Sequence, residues 1–252
     1  MENIKDKKNY EVMAQFYDQM MGDGKYQGWK KLIARVVKQH HIATGKCLDV
    51  ACGTGNITKL LLELGFRVVG VDISAEMVRL AQEKFPQENF VCADVRDFTL
   101  SDELRQGITL AVSFYDSLNY LLTDQDMLHA FQSVYRNLPS GTIFLFDMNT
   151  VAHVKAAQRY HPRVLEGKNF YSVYRFGGEG RFWTLNIDIF VKTSGSYRLA
   201  REQHTERGYD KKDILPLLQQ VGFKPLAVEE EFKTYEDGIE HLSRLYFVVQ
   251  KA

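Results

Sequence analysis

The 252-residue chain is 45% hydrophobic and 25% charged, the proportions of an ordered globular protein with room for one large α/β domain. Its 32 Lys and Arg balance its 32 Asp and Glu, so overall charge gives no reason to expect nucleic acid or a membrane surface as partner. No apolar run approaches the roughly 20 residues of a bilayer span, and "MENIKDKKNYEV" lacks the apolar core of a secretory signal.

In chain order, "YEVMAQFYDQMM" places Tyr10, Met13, Ala14, Tyr17 and Met21 at helical spacing. "WKKLIARVVKQH" repeats that pattern with Trp29, Leu32, Ile33, Val36 and Val37. "KCLDV" is a short buried strand, and "GNITKLLLELG" a helix with Ile57, Leu60, Leu61 and Leu64 on one face. "RVVGVDIS" is a strand, followed by the helix "SAEMVRLAQEKF" with Ser74 as its N-cap. "NFVCADV" and "ITLAVSFY" are strands, "DQDMLHAFQSVYRNL" a helix and "GTIFLFDMN" a strand. Alternation of this kind predicts a Rossmann-like, mostly parallel sheet with helices on both faces. After Thr150, "FYSVYRF", "RFWTLNIDIFVKT" and "SYRLAREQHTERGY" read as antiparallel hairpin strands separated by "GGEG" and "SGS". "KKDILPLLQQVGF" is a helix closed by Gly222, with Pro216 expected in its first turns or at a kink. "KPLAVEEEF" and "LSRLYFVVQ" complete a seven-stranded sheet. We expect one domain over 1–252, with 1–44 as an N-terminal helical lid and 151–208 as the antiparallel insert.

Between the first strand and its helix stands "ACGTG", where the chain gives up side chains. A strand, a glycine turn and a helix form a nucleotide-type site, because the helix's free N–H groups and positive dipole end face whatever fills the turn. Gly53 and Gly55 give GxG, but Thr58 stands where a dinucleotide fingerprint has its third glycine. Asp49 precedes the turn, Asp72 ends the second strand where a carboxylate can take both ribose hydroxyls, and Asp94 follows the third strand, in reach of an adenine amino group. With no GK[ST] and no arginine in the turn, an adenine nucleoside without phosphates satisfies all three acids.

With "LDVACGTG", "VGVDIS", "CADVRDF" and "FYDSLNYL" in order at successive strand ends, the stretch from Lys46 to about Met148 resembles the class I S-adenosylmethionine-dependent methyltransferases. "FYDQMM" with Trp29, "DSLNYL" and "REQHTERGY" extend the similarity over nearly the whole chain, to a bacterial small-molecule branch near the glycine and amino-sugar N-methyltransferases. The insert matches loosely. The resemblance implies S-adenosylmethionine as cofactor, with Asp49, Ala51, Gly53 and Gly55 around its methionine moiety. Cys52 joins that set, although a small residue fits there on packing grounds alone. It further implies Asp72 on the ribose, Ile73 and Met77 beside the adenine, Asp94 and Val95 at its edge, and Phe114 beneath the cofactor. Tyr17 is read as touching cofactor and acceptor, or as core of its amphipathic helix.

Methyl transfer from a sulfonium needs alignment and exclusion of water more than general chemistry, so no obligatory triad is expected. Asn119 and Tyr120 are read as pocket lining, and His204, Glu206 and Arg207 as polar groups offered to the acceptor. From Lys155 to Lys212 twelve bases face six acids, which favours an anionic acceptor with Arg207 as its anchor. The loop after the fourth strand lacks the Pro-Pro of nucleic-acid amino-methyltransferases, and no proline precedes a cysteine, so a small molecule is preferred to nucleic acid. No histidine spacing suggests a metal site. Cys47, Cys52 and Cys92 form no CxxC and read as small buried residues of a cytoplasmic protein. A nicotinamide-dependent oxidoreductase on a similar sheet and a non-catalytic nucleoside-binding module are the alternatives.

Overall fold

The computed structural model describes residues 12–21, 26–234 and 240–252; Tyr10 lies outside them. A 3-10 turn, Met13–Phe16, leads into α1 (Tyr17–Met21), and α2 (Tyr26–Gln39) follows. The alternating part runs β1 (Lys46–Val50), α3 (Asn56–Glu63), β2 (Arg67–Asp72), α4 (Ala75–Lys84), β3 (Asn89–Cys92), α5 (Asp102–Arg105), β4 (Ile108–Ser113), α6 (Asp124–Asn137) and β5 (Ile143–Asn149). Then come α7 (Val151–Ala157), β6 (Arg163–Glu166), β7 (Phe170–Glu179), β8 (Phe182–Thr193), β9 (Ser196–Arg207), α8 (Lys211–Val221), β10 (Phe223–Thr234) and β11 (Glu240–Lys251).

Seven strands form one sheet in the order β10-β11-β5-β4-β1-β2-β3. β1 to β5 are parallel, and β11 runs antiparallel between β5 and β10. β1 lies between β2 and β4, so strand order reverses there, and the crevice at the carboxyl ends of β1 and β4 is where such sheets hold ligands. β5 is buried along its whole length, as an interior strand covered on both faces must be. On one face Trp29, Ile33 and Val36 of α2 and Ile57 and Leu61 of α3 pack on Cys47, Leu110 and Leu145. On the other, Met127, Phe131 and Val134 of α6 and Ile214 and Leu218 of α8 pack on Leu48, Val50, Phe144 and Phe146.

The insert is larger than a hairpin. β6-β7-β8-β9 make a second antiparallel sheet, and α7 precedes it; both β6 and α7 escape the hydrophobic pattern because they are four and seven residues long. Its inner face (Phe170, Ile187, Ile189, Ala200) is covered by Val12, Met13 and Phe16 of the N-terminal segment, with the Phe16 and Phe170 rings 4.7 Å apart. The N-terminal segment and the insert are therefore packed as one unit over the sheet's carboxyl edge.

Helix ends follow their sequence signals. Ser74 accepts the N–H of Met77, and Gly222 closes α8 at φ +106°. Pro216 stands in the second turn of α8, exposed, where the carbonyl it leaves without an i+4 donor belongs to exposed Lys212. One expectation fails at the cysteines: all three are free and Cys47 and Cys52 are buried, but Cys92 is exposed at the end of edge strand β3.

Candidate active site

The glycine turn is built from left-handed backbone. Ala51 (φ +57°), Gly53 (+55°) and Gly55 (+84°) fold the chain sharply from β1 into α3. The two glycines serve different ends. A Cβ at Gly55 would stand 2.7 Å from the Phe85 ring, so that position is closed by packing. A Cβ at Gly53 would meet nothing within 4 Å, so the backbone there borders open space. Cys52 lies beneath the turn; its Sγ is 2.8 Å from where a Cβ on Gly70 would be, which makes it a packing residue against β2.

Three carboxylates surround that space in different states. Asp72 Oδ2 accepts the Gly53 N–H (2.8 Å) and Oδ1 the Ser74 N–H (2.9 Å). The Ile73 N–H also faces this carboxylate, and the acceptor capacity that remains is what a ligand hydroxyl would use. Burial raises the Asp72 carboxyl above its ordinary range, opposed by those N–H donors. Asp49 is fully buried and takes the Thr58 hydroxyl at 2.7 Å; burial, with the Asp72 charge adding to it, pushes it up to about 7. Asp94 is held differently. Arg96 reaches it through Nη2 (2.5 Å) and Nε (3.0 Å) and bridges onward to Asp126 (3.0 Å), which holds the Asp94 carboxyl below its usual range. An adenine amino group would have to share Asp94 with Arg96.

Ile73, next to Asp72, is 64% exposed, a large apolar side chain in the open beside a strand-end carboxylate. Met77 is fully buried, Val95 is half-buried against the α6 side of the core, and Phe114 is buried with its ring 5.9 Å from Trp29. The open space over Gly53, the free acceptor capacity of Asp72 and the uncovered face of Ile73 fit a nucleoside. Among the described residues no group of three or more His, Cys, Asp or Glu can hold a metal ion.

The N-terminal segment is fastened to this turn. Thr54 Oγ1 (2.6 Å) and Asn56 Nδ2 (3.1 Å) donate to Asp18 Oδ1, and Lys84 pairs with Asp18 while donating to the Thr54 carbonyl (3.0 Å). Tyr17, one residue earlier, is half-buried among the aliphatic and aromatic side chains under the second sheet, the core alternative of the sequence reading.

Beyond β4 the chain enters an unusual bend: Tyr115 (φ +68°) and Asp116 (φ +53°) are consecutive left-handed residues other than glycine. Each such residue costs on the order of 1–3 kcal/mol and persists only where the surroundings dictate it. Here Asp147 Oδ1 takes the Asp116 N–H (2.9 Å), and Asp116 Oδ1 takes Arg244 Nη2 (2.7 Å). Arg244 also pairs with Asp147 and donates to Asn149 Oδ1 (3.0 Å). Asn149 Nδ2 (3.3 Å) and Trp183 Nε1 (3.0 Å) both donate to Glu206 Oε2. Burial, with the Asp116 charge beside it, pushes the Glu206 carboxyl well above the ordinary carboxylate range. The bend after β4 and strands β5, β8, β9 and β11 thus meet in one buried polar cluster.

Two expected lining residues are occupied within the protein. Asn119 is fully buried; Nδ2 donates to the carbonyls of Asn149 (3.0 Å) and Arg207 (2.7 Å), and Oδ1 accepts the Asn149 N–H (3.0 Å). It is a strut tying β5 to β9. The guanidinium of Arg207, expected to face an anion, gives Nη2 to Asp124 (2.7 Å) and Nη1 to the Leu122 carbonyl (3.2 Å) and lies over the Tyr209 ring, while its Nε is buried without a hydrogen-bond partner among the described residues. Tyr120 and His204 do come together, Oη to Nδ1, at 3.1 Å. Arg244, Asp147 and Asn149 were not anticipated. The left-handed pair at 115–116 shows no glycine to mark it, and Arg244 reaches Asp116 across 128 positions of sequence.

Residues 47–141 match a family described as a methyltransferase domain. YqeM of Bacillus subtilis (strain 168), a provisionally named methyltransferase, is 30% identical over 250 residues, covering 96% of this chain and 97% of its own length. A dTDP-3-amino-3,4,6-trideoxy-alpha-D-glucopyranose N,N-dimethyltransferase of Streptomyces venezuelae is 30% identical over 142 residues, 55% of this chain and 58% of that protein. Among solved structures, an S-adenosylmethionine-dependent methyltransferase from Clostridium acetobutylicum superposes with a TM-score of 0.80 at 24% identity, over 96% of this chain and 99% of the other.

Proposed function

The chain belongs to the S-adenosylmethionine-dependent methyltransferases, and from that premise we propose that it methylates an amine nitrogen of a small molecule held between the glycine turn and the second sheet. S-adenosylmethionine is the cofactor; bound at the turn, it supplies an activated methyl group. On this reading Asp72 takes the ribose hydroxyls, Ile73 covers the adenine, and Asp49 opposes the positive charge of the methionine end. The described part of the N-terminal segment (12–21 and 26–44) and residues 151–208 form the cover that keeps water from the reacting atoms. The three free cysteines agree with a reducing, cytoplasmic setting.

The observation that carries the choice of acceptor is the charge of the buried cluster. Asp116 and Asp147, two carboxylates, close on the single guanidinium of Arg244, Glu206 stands beside them as a carboxyl whose charge burial disfavours, and both Nη atoms of Arg207 are engaged elsewhere. A site of this balance suits a neutral or protonated amine better than a carboxylate or phosphate. The aminosugar dimethyltransferase of Streptomyces venezuelae supports nitrogen as the acceptor atom. The test is conversion of S-adenosylmethionine to S-adenosylhomocysteine across a panel of small amines, hydroxy acids and nucleic acids. Turnover with amines is expected. Turnover confined to carboxylates or nucleic acid would refute the reading.

A further inference from the structure

Glu202, His204 and Glu206 lie on one buried face of β9, with His204 only 3% exposed. His204 Nδ1 is 3.1 Å from Tyr120 Oη, the two rings edge to face at 5.9 Å, and His204 Nε2 is 3.3 Å from Glu202 Oε2, an electrostatic contact without the alignment of a hydrogen bond. The other oxygen of Glu202 accepts the backbone N–H of Val12 (3.0 Å) and Met13 (2.8 Å). Among the described residues, Glu206 on the same strand and Tyr120 from the turn after β4 are polar groups of the neighbourhood, and across the ladder His204 is opposite apolar Leu185 of β8. A carboxylate, an imidazole and a phenol thus stand in line, ending at the carboxyl edge of the sheet.

We propose that Glu202 is a positioning residue that keeps the His204 proton on Nε2, so that Nδ1 accepts from the Tyr120 hydroxyl and the Tyr120–His204 pair receives the proton released by the acceptor. This rests on the amine reading above. In neutral imidazole one nitrogen donates and the other accepts, and the partner of one fixes the role of the other. A carboxylate charge 3.3 Å from Nε2 favours the proton on that nitrogen and leaves Nδ1 as the acceptor. When the amine nitrogen bonds the methyl carbon, the electron pair of the broken carbon–sulfur bond stays on sulfur and the nitrogen holds one proton in excess. That proton passes to Tyr120 Oη as the tyrosine's own proton moves to His204 Nδ1. The imidazolium so formed lies beside Glu202, whose charge opposes it, and it returns its proton to solvent after turnover. Because Glu202 also holds the Val12 and Met13 N–H groups, the relay and the N-terminal cover are assembled by one side chain.

Glu202→Gln separates the two duties. Its amide oxygen can still accept from Val12 and Met13, but its NH2 donates to Nε2 and drives the His204 proton to Nδ1. In 15N NMR of the full chain without ligand, the wild type should show His204 protonated at Nε2 and Glu202→Gln at Nδ1. With an amine from the panel, kcat should fall about a hundredfold, the lower end of general acid–base contributions, with KM for S-adenosylmethionine within about twofold. Tyr120→Phe should lose as much kcat without moving the tautomer, and the double variant should be no worse than the poorer single one, as expected for residues acting as a unit. An unchanged tautomer in Glu202→Gln, or kcat within about twofold of wild type in either variant, would overturn the proposal. Should Glu202→Gln not fold, the Tyr120→Phe rate and the wild-type tautomer decide. If the wild type methylates no amine at all, the acceptor reading fails, and the NMR arm still judges the His204–Glu202 geometry.

Discussion

The two halves of the active site are built on opposite principles. The half proposed to hold the cofactor is local: Asp49, the turn at 51–55, Asp72 and Ile73 fall within twenty-five residues and two strand–helix connections. The half proposed to receive the acceptor is long-range: Asp116, in the bend after β4, and Asp147, Glu206 and Arg244, on three different strands, are joined only by the tertiary fold. A local site tolerates change in the roof above it, whereas the acceptor cluster stands or falls with the packing of the whole carboxyl edge. The contrast yields predictions of graded size.

The largest effect should follow Arg244→Met. Removing the guanidinium leaves Asp147, fully buried, and Asp116 without their counter-ion. Breaking a buried ion pair from one side costs about 3–5 kcal/mol. Chemical denaturation of wild type and variant measures it, and a loss below about 1 kcal/mol would mean that the cluster is not a unit.

The glycines come next and separate packing from ligand space. Both Gly53→Ala and Gly55→Ala force a side chain into left-handed backbone, worth about 1–3 kcal/mol of stability. Gly55→Ala should be the less stable, since its Cβ also meets Phe85, yet a refolded fraction should still bind S-adenosylhomocysteine. Gly53→Ala should lose the milder amount of stability but most of its affinity. The reverse pattern in thermal unfolding and calorimetry would reassign the open space.

Asp49 gives a pH signature. Its folded-state value of about 7 lies above the ordinary carboxylate value, so between about pH 4 and 7 the unfolded chain releases this proton before the folded chain does. Stability should therefore fall as pH rises through that window, by up to about 1.4 kcal/mol per pH unit from this group, and the full cost persists above it. Asp49→Asn should flatten that part of the curve. For the same reason cofactor affinity should rise from pH 6 to 8 in the wild type, as Asp49 ionises to meet a cationic ligand. The smallest effect belongs to Asp18, whose carboxylate is 44% exposed. Asp18→Asn should cost less than about 1 kcal/mol but loosen residues 12–21 in hydrogen exchange.

What could be read from the sequence divides along the same line. Strand–helix alternation, the N-cap at Ser74, the C-cap at Gly222 and the glycine turn depend on residues within a few positions of one another, and hydrophobic period plus capping chemistry exposes them. The placement of Asp49, Gly53, Asp72 and Ile73 at the turn and the strand ends was legible for that reason. Asn119 and Arg207 illustrate the limit. Their polarity suggested a substrate, but the partners they meet (the carbonyls of Asn149 and Leu122, the carboxylate of Asp124) lie elsewhere in the chain and become visible only after folding. Tyr120 and His204 were each singled out, but the Glu202 behind them was not, since its partners are backbone groups about 190 residues away.

The most direct test of the central claim, that the local half holds the cofactor, is titration calorimetry of S-adenosylhomocysteine into wild type and Asp72→Ala. Loss of charge-assisted hydrogen bonds costs about 1.5–3 kcal/mol, so the variant should bind roughly ten- to a hundredfold more weakly while remaining folded. Equal affinity in the two proteins, or binding of NAD in place of S-adenosylhomocysteine, would contradict the account.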